Sequence, residues 1–223
     1  MGKNNDRFVY ENALKGSSDT FMQKIQFVDR YIDRPLASLV VRAVYHTRIT
    51  PNTLTYISSF LGLLGAFFFS RGAYPYFLMG GILAELSSIV DGADGMLARA
   101  KNMGSDYGSH LDIFWDRILD FFILSGIAVG AHGYYHNPAL SALGFFGAGL
   151  YLLQIHLFYQ TKSYLRVENK GDNGEARAIL YLGILICSVV NRLDICIYLL
   201  LIETVLVNVV RIIYFMSLRS GKR

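Results

Sequence analysis

The sequence predicts an all-α, polytopic membrane protein with six transmembrane helices, preceded by an amphipathic helix at the membrane surface. Hydrophobic residues make up 53% of the 223 residues and charged residues only 17%, a balance that is unusual for a soluble domain. Apolar stretches of membrane-spanning length recur along most of the chain. Lys and Arg are concentrated between these stretches, as they are in cytoplasmic loops.

The segment before the first apolar stretch divides into two parts. Residues 1–20 are polar and lack the apolar region of a cleaved signal peptide, so we expect a flexible N-terminus. Residues 21–49 mix apolar and basic side chains, and Arg34, Arg42 and Arg48 interrupt the apolar run too often for a span. An amphipathic juxtamembrane helix fits this pattern better.

Six apolar stretches then form a single domain over residues 50–216, followed by a basic tail at 217–223. The expected spans are about 52–70, 74–88, 111–131, 139–161, 178–190 and 195–215. The second continues as helix beyond the lipid, and the fifth is short. The sequence contains no internal repeat and no second, soluble domain.

The distribution of Lys and Arg predicts the orientation in the membrane. Eight precede residue 51, two follow the second span and four follow the fourth, whereas the opposite loops hold one, none and one. Both termini and the active site should therefore face the cytoplasm, in what we expect to be a bacterial or archaeal cytoplasmic membrane. The net charge of +4 is explained by these loops, so we expect no nucleic-acid partner.

Five aspartates lie against or inside apolar helix, where an ionised group needs a compensating partner. They are Asp91, Asp94, Asp112, Asp116 and Asp120. Spacings of three and four residues place the first pair, and then the second, on one helix face. Two adjacent antiparallel helices would bring the pairs together, and four like charges in one place require a cation. Carboxylate oxygens favour Mg²⁺, Mn²⁺ or Ca²⁺, and two ions about 4 Å apart can clamp a phosphoryl group.

Small residues surround the first aspartate pair and allow a ligand to approach the backbone closely. They are Gly92, Gly95, Ala98 and, at the start of the next helix, Gly108. Arg99 follows at the cytoplasmic end, where its guanidinium could pair with a phosphate.

These residues, taken together, resemble the signature of the CDP-alcohol phosphotransferase family. The matching pattern is Asp91-x2-Asp94-Gly95-x2-Ala98-Arg99-x8-Gly108-x3-Asp112-x3-Asp116, and residues 50–55 resemble the segment that opens the first span in that family. The resemblance implies transfer of a phosphoalcohol from a CDP-linked donor, such as CDP-diacylglycerol, to a hydroxyl acceptor, with release of CMP. It also implies Mg²⁺ or Mn²⁺, here two ions, and a homodimer embedded in membrane lipid.

The same resemblance implies roles for the individual residues. The metal would be held by Asp91, Asp94, Asp112 and Asp116, with Asp116 as general base. The CDP group would be bound by Asn52, Asp91, Gly92, Asp94, Gly95, Ala98, Arg99 and Gly108.

The acceptor is less determined by the sequence. The run from Asp116 to Asp120, DRILD, resembles the inositol-phosphate-using branch of the family, and the matching acceptor-phosphate contacts would be Arg117, Lys162, Arg177 and Arg211. Serine, a free polyol and diacylglycerol remain alternative acceptors, because Lys162 and Arg177 could also be ordinary positive-inside charges. A cation transporter is a remote alternative, since the aspartates cluster at one end of the spans rather than near the membrane midplane.

Overall fold

The computed structural model describes residues 29–165 and 174–220, and this part of the chain is built from helices joined by short turns. A π-helical turn, Asp29–Asp33, leads into the first α-helix. The helices are α1 (Arg34–Val44), α2 (Pro51–Ser70), α3 (Tyr74–Lys101), α4 (Asp106–Tyr135), α5 (Pro138–Leu165), α6 (Gly174–Val189) and α7 (Leu193–Ser220). The predicted all-α fold class is confirmed.

Within the described residues, four helices are long and apolar enough to cross a membrane. They are α2, α3, the part of α5 from Pro138–Gln160 and the part of α7 from Leu193–Val210. The other two expected stretches also lie in helices: α4 has 30 residues but carries four aspartates, and α6 is a shorter apolar helix of 16 residues. The chain therefore has the helices of an integral membrane protein.

The juxtamembrane helix expected over residues 21–49 is only partly described. Residues 21–28 lie outside the described part, and α1 ends at Val44. The next helix begins at residue 51, because the Thr50 side chain accepts the backbone N–H of Thr53 at 3.3 Å and caps it. Lys101 Nζ donates to the carbonyl oxygens of Thr47 and Ile49 at 3.0 and 2.8 Å, which ties the connecting segment to the end of α3.

Helix α2 lies at the centre of the arrangement and packs against both α3 and α4. Its contact with α4 is close at Gly126 and Gly130, where a Cβ atom would meet the carbonyl oxygens of Ala66 and Phe69. Glycines four residues apart let two helix backbones approach in this way. Few contacts join α3 and α4 directly, because α2 packs against both of them.

The turn between α3 and α4 nevertheless brings the two aspartate pairs to one end of the bundle. Helix α3 ends at Asn102, which has a left-handed backbone conformation with φ of 54°. Helix α4 starts at Asp106, five residues before the predicted span, because Ser105 Oγ accepts the N–H of Gly108 at 3.0 Å. Only residues 102–105 separate the helices, so the ends that carry the aspartates must converge.

Candidate functional site

Three carboxylates from α3 and α4 meet at the end of the bundle where those helices are joined. Asp91, Asp112 and Asp116 each offer one oxygen atom, and these atoms lie within 4.8 Å of one another. All three side chains are half-buried, so their mutual repulsion is poorly screened and favours a bound cation. The donors are carboxylate oxygens without His or Cys, which suits Mg²⁺ or Mn²⁺. The predicted convergence of the two pairs is observed for these three residues, and their role as ligands of a divalent cation stays a prediction.

Asp94 belongs to the same region but has a different environment. It is buried, and its Oδ2 accepts a hydrogen bond of 2.5 Å from Thr55 Oγ1 on α2. Its charge also interacts with those of Asp91 and Asp112, yet it is outside the group of three whose oxygens converge. The sequence analysis did not single out Thr55, because only the packing of α2 on α3 brings the two side chains together.

The guanidinium of Arg177, at the start of α6, lies against the aspartates. Its Nη1 donates to Asp91 Oδ2 at 2.8 Å and also pairs with Asp116 Oδ1. Its Nε donates to Asp120 Oδ1 at 3.2 Å. Arg177 is only 6% exposed, and a buried guanidinium needs this density of carboxylate partners to offset its desolvation. Its predicted proximity to the metal cluster is therefore observed, whereas its predicted contact with an acceptor stays a prediction.

Asp120 is fully buried and joins two arginines. Its Oδ1 accepts from Arg177 and from the hydroxyl of Tyr181, the latter at 3.1 Å, and its Oδ2 accepts from Arg117 Nη1 at 3.0 Å. The other terminal nitrogen of Arg117 lies 3.7 Å from Asp116 Oδ2. Tyr181 was missed in the sequence, although a Tyr four residues after an Arg at the start of an apolar helix shares its face.

The residues expected to bind CDP line the same end of the bundle. Asn52 Oδ1 would lie 3.2 Å from a Cβ atom at Gly108, so the start of α2 reaches the start of α4. Arg99 Nη1 would lie 3.5 Å from a Cβ atom at Gly95, which places that guanidinium beside the glycine. Gly92 is exposed and Ala98 half-buried, so the backbone there is open to a ligand.

Two of the expected acceptor contacts cannot be placed in this site. The side chains of Lys162, near the end of α5, and Arg211, within α7, lie outside the described part of the structure. Their roles stay predictions.

Comparison with known proteins identifies the fold and the family. The sequence profile of the CDP-alcohol phosphatidyltransferase family matches residues 48–216. The chain is 32% identical over 123 residues to the bifunctional IPC transferase and DIPP synthase of Aquifex aeolicus, covering 55% of this chain and 26% of that protein. It is 38% identical over 86 residues to the archaetidylinositol phosphate synthase of Pyrococcus horikoshii, covering 37% and 42%. The chain thus spans about a quarter of the length of the bifunctional relatives that it matches.

Solved structures show the same fold. The phosphatidylinositol phosphate synthase of Mycobacterium tuberculosis with CDP-DAG bound superposes with a TM-score of 0.59 and 21% identity, over 81% of this chain and 92% of that one. Its complex with manganese and citrate gives a TM-score of 0.58 and 20% identity, over 80% and 86%. Since the family profile covers most of the chain and includes every residue of the aspartate cluster, the chain belongs to the CDP-alcohol phosphatidyltransferase family.

Proposed function

We propose that this protein is a metal-dependent transferase of phospholipid biosynthesis. It transfers a phosphoalcohol, the phosphatidyl group of CDP-diacylglycerol, to the hydroxyl of a phosphorylated polyol such as an inositol phosphate, and it releases CMP. The observation that carries this proposal is the meeting of the three converging carboxylates, Asp91, Asp112 and Asp116, with the buried guanidinium of Arg177, which pairs with the first and the last of them. The first group suits a metal-bound pyrophosphate, and the second suits a phosphorylated acceptor beside it.

The donor would be held at the α3–α4 end of the bundle. Asp91, Asp94, Asp112 and Asp116 would bind Mg²⁺ or Mn²⁺, as two ions. When bound, the metal supplies positive charge against the pyrophosphate and polarises the transferred phosphorus. Arg99 would add a cation at the pyrophosphate. The open backbone at Gly92, Gly95, Ala98 and Gly108, with Asn52 from α2, would accommodate the cytidine and its ribose.

The chemical step would be a displacement at the transferred phosphorus. Asp116 accepts the proton of the acceptor hydroxyl, and the hydroxyl oxygen forms the new bond to phosphorus. The bond from that phosphorus to the CMP oxygen breaks, and CMP leaves with the electron pair. The position of Asp116 supports this role, because it lies in the metal cluster and also pairs with Arg177.

The acceptor phosphate would be met by basic side chains around Asp116. Arg117 and Arg177 are both near that carboxylate, and Lys162 and Arg211 are proposed from the sequence. A neutral acceptor such as serine, a free polyol or diacylglycerol remains the second candidate. It is favoured by the many contacts that Arg177 makes within the protein, since a guanidinium already paired with three carboxylates can be purely structural. Transport of cations is set aside, because the chain belongs to a transferase family.

The proposed setting is a six-span homodimer in a bacterial or archaeal cytoplasmic membrane. Helices α2 to α7 would be the six spans, α1 would lie at the membrane surface, and both termini and the active site would face the cytoplasm. This orientation follows from the positive-inside rule and gives the water-soluble CDP group access to the aspartates.

The test is CMP release by the purified protein from CDP-diacylglycerol with a panel of acceptors. The panel contains inositol 1-phosphate and glycerol 3-phosphate, with inositol, glycerol, serine and diacylglycerol as neutral acceptors. We expect release only with divalent metal and preferentially with a phosphorylated acceptor. A chelator should abolish it, and added Mg²⁺ or Mn²⁺ should restore it.

The aspartate cluster is tested in the same assay. Asp91→Asn and Asp112→Asn should abolish CMP release without impairing membrane insertion, because each removes a charged ligand from the metal site. Asp194→Asn is the matched control, since Asp194 pairs with the exposed Arg192 at the opposite end of the bundle. Full activity of folded Asp91→Asn would contradict the metal site.

A further inference from the structure

We propose that Asp120 and Tyr181 are positioning residues for the acceptor phosphate, and that they hold Arg117 and Arg177 as a pair of guanidiniums matched to a phosphate monoester. This inference rests on the proposed function with a phosphorylated acceptor. It assigns a role to two side chains that lie behind the metal cluster rather than within it.

The hydrogen bonds of Asp120 connect the two arginines. Its side chain is completely buried and accepts from three donors on two helices. One oxygen binds Arg117 Nη1 at 3.0 Å, and the other binds Arg177 Nε at 3.2 Å and the Tyr181 hydroxyl at 3.1 Å. A single carboxylate with both oxygens engaged in this way determines the separation and orientation of the two guanidiniums.

Asp120 differs from the other two carboxylates that bind Arg177. Arg177 contacts three carboxylates, and two of them, Asp91 and Asp116, belong to the converging group that suits a metal. Asp120 does not belong to that group. Its oxygens bind Arg117, Arg177 and the Tyr181 hydroxyl, whereas the charges of Asp91 and Asp116 would be shared with any cation.

The two guanidiniums are also oriented towards the same carboxylate, Asp116. Both arginines use one nitrogen on Asp120 and direct another towards Asp116: Arg177 through Nη1 in an ion pair, and Arg117 through Nη2 at 3.7 Å. Tyr181 supports Arg177 from behind, with Nη2 3.4 Å from its hydroxyl and the guanidinium carbon 5.0 Å from its ring centroid. Both guanidiniums are therefore held beside the proposed general base.

The charges of these side chains also bear on the acceptor. Two guanidiniums held close together repel each other, and Asp120 offsets that repulsion. If the proposed metal balances Asp91 and Asp116, which also pair with Arg177, then Arg117, Arg177 and Asp120 together carry a net charge of +1. A phosphate monoester brings the negative charge that this group lacks, whereas a neutral acceptor does not. The arginine pair that Asp120 positions should thus favour phosphorylated acceptors over their free alcohols.

The experiment measures Asp120→Asn and Tyr181→Phe against the wild type. Tyr135→Phe is the matched control, because it also removes a hydroxyl that donates to another segment, here the carbonyl oxygen of Asn191 in the turn between α6 and α7, at the other end of the bundle. Assays with CDP-diacylglycerol and inositol 1-phosphate give KM for each substrate and kcat. Protection of the purified protein against heat by inositol 1-phosphate, with CMP and Mg²⁺ present, gives a readout that does not depend on turnover.

We expect Asp120→Asn to raise KM for inositol 1-phosphate by about tenfold to a hundredfold, and Tyr181→Phe by about threefold to tenfold. KM for the CDP donor should change by less than about twofold, because neither substitution alters a residue of the proposed CDP site. Heat protection by inositol 1-phosphate should weaken in parallel. Tyr135→Phe should match the wild type in all of these.

Two results would overturn the inference. One is a folded Tyr181→Phe that matches Tyr135→Phe in acceptor KM and heat protection. The other is an Asp120→Asn protein in which both KM values, or kcat alone, change without selective loss of the phosphorylated acceptor. If Asp120→Asn does not fold, Tyr181→Phe decides.

Arg177→Ala separates this inference from the proposed function. If it raises the acceptor KM while Asp120→Asn and Tyr181→Phe do not, positioning by Asp120 and Tyr181 is wrong and the phosphorylated acceptor stands. If no phosphorylated acceptor supports metal-dependent CMP release, the proposed function itself fails.

Discussion

Substituting Thr55 with Val removes the hydroxyl that donates to Asp94 and leaves a β-branched side chain of almost the same shape. The hydrogen bond measures 2.5 Å between two buried side chains on different helices. Without it, the Oδ2 atom of Asp94 loses its donor in a place that water does not readily reach. A hydrogen bond to a charged group contributes about 1.5–3 kcal/mol, which corresponds to about tenfold to a hundredfold in an equilibrium constant.

We expect this loss to appear in the metal dependence of the reaction. Side chains that orient a metal ligand without touching the metal typically change affinity or activity by about tenfold to a hundredfold. The Mg²⁺ concentration for half-maximal CMP release should therefore rise by about that factor in Thr55→Val, while kcat at saturating Mg²⁺ stays within about threefold. The assay is CMP release across a series of Mg²⁺ concentrations, with the melting temperature of each variant in detergent measured alongside.

Thr55→Ser is the control, because it retains the hydroxyl and loses only a methyl group. Its metal dependence should stay close to that of the wild type. A folded Thr55→Val protein with wild-type Mg²⁺ dependence would refute the reasoning, and so would an equal shift in Thr55→Ser. Either result would show that Asp94 is oriented by something other than this hydrogen bond, or that it does not serve the metal.

Two further predictions concern the architecture. Gly130→Ala should lower the melting temperature in detergent by the equivalent of about 1–3 kcal/mol, because its Cβ atom would meet the Phe69 carbonyl oxygen. Gly149→Ala is the control and should leave the melting temperature unchanged, because a Cβ atom there has open space. Equal melting temperatures of the two variants would contradict the close approach of α2 and α4. A cysteine at Ser105 should be labelled by a membrane-impermeant reagent only from the cytoplasmic side, and one at Asn137 only from outside; the reverse labelling would refute the orientation.

The helices were largely predictable because the signal for them is local. The sequence has six apolar stretches, and each coincides with a helix. Of the described helices, four are long and apolar enough to cross a membrane. The boundaries were less predictable where a polar cap extends a helix beyond its apolar part. Ser105 starts α4 five residues before the apolar stretch, and Thr50, six residues after the end of α1 at Val44, starts α2 at Pro51.

The aspartate cluster was also predictable in outline. The spacing from Asp112 to Asp116 places both on one face of α4, and the short turn at 102–105 brings that face to the end of α3. The observed cluster differs from the predicted group of four in one respect. Asp91 joins the converging group, while Asp94 lies outside it and accepts a hydrogen bond from α2. The sequence could not reveal this, because it depends on the insertion of α2 between α3 and α4.

The sequence by itself determined that the chain is helical, that its helices suit a membrane, and that carboxylates cluster at one end of the apolar stretches. These properties follow from composition and periodicity, which depend on residues close together in the chain. Tertiary structure decided which donor reaches which carboxylate. Thr55 meets Asp94 across 39 residues, Tyr181 meets Asp120 across 61, and Arg177 meets Asp91 across 86. Contacts of that separation follow from the way α2 and α6 pack on their neighbours, and packing depends on side chains far apart in the chain that no local pattern relates.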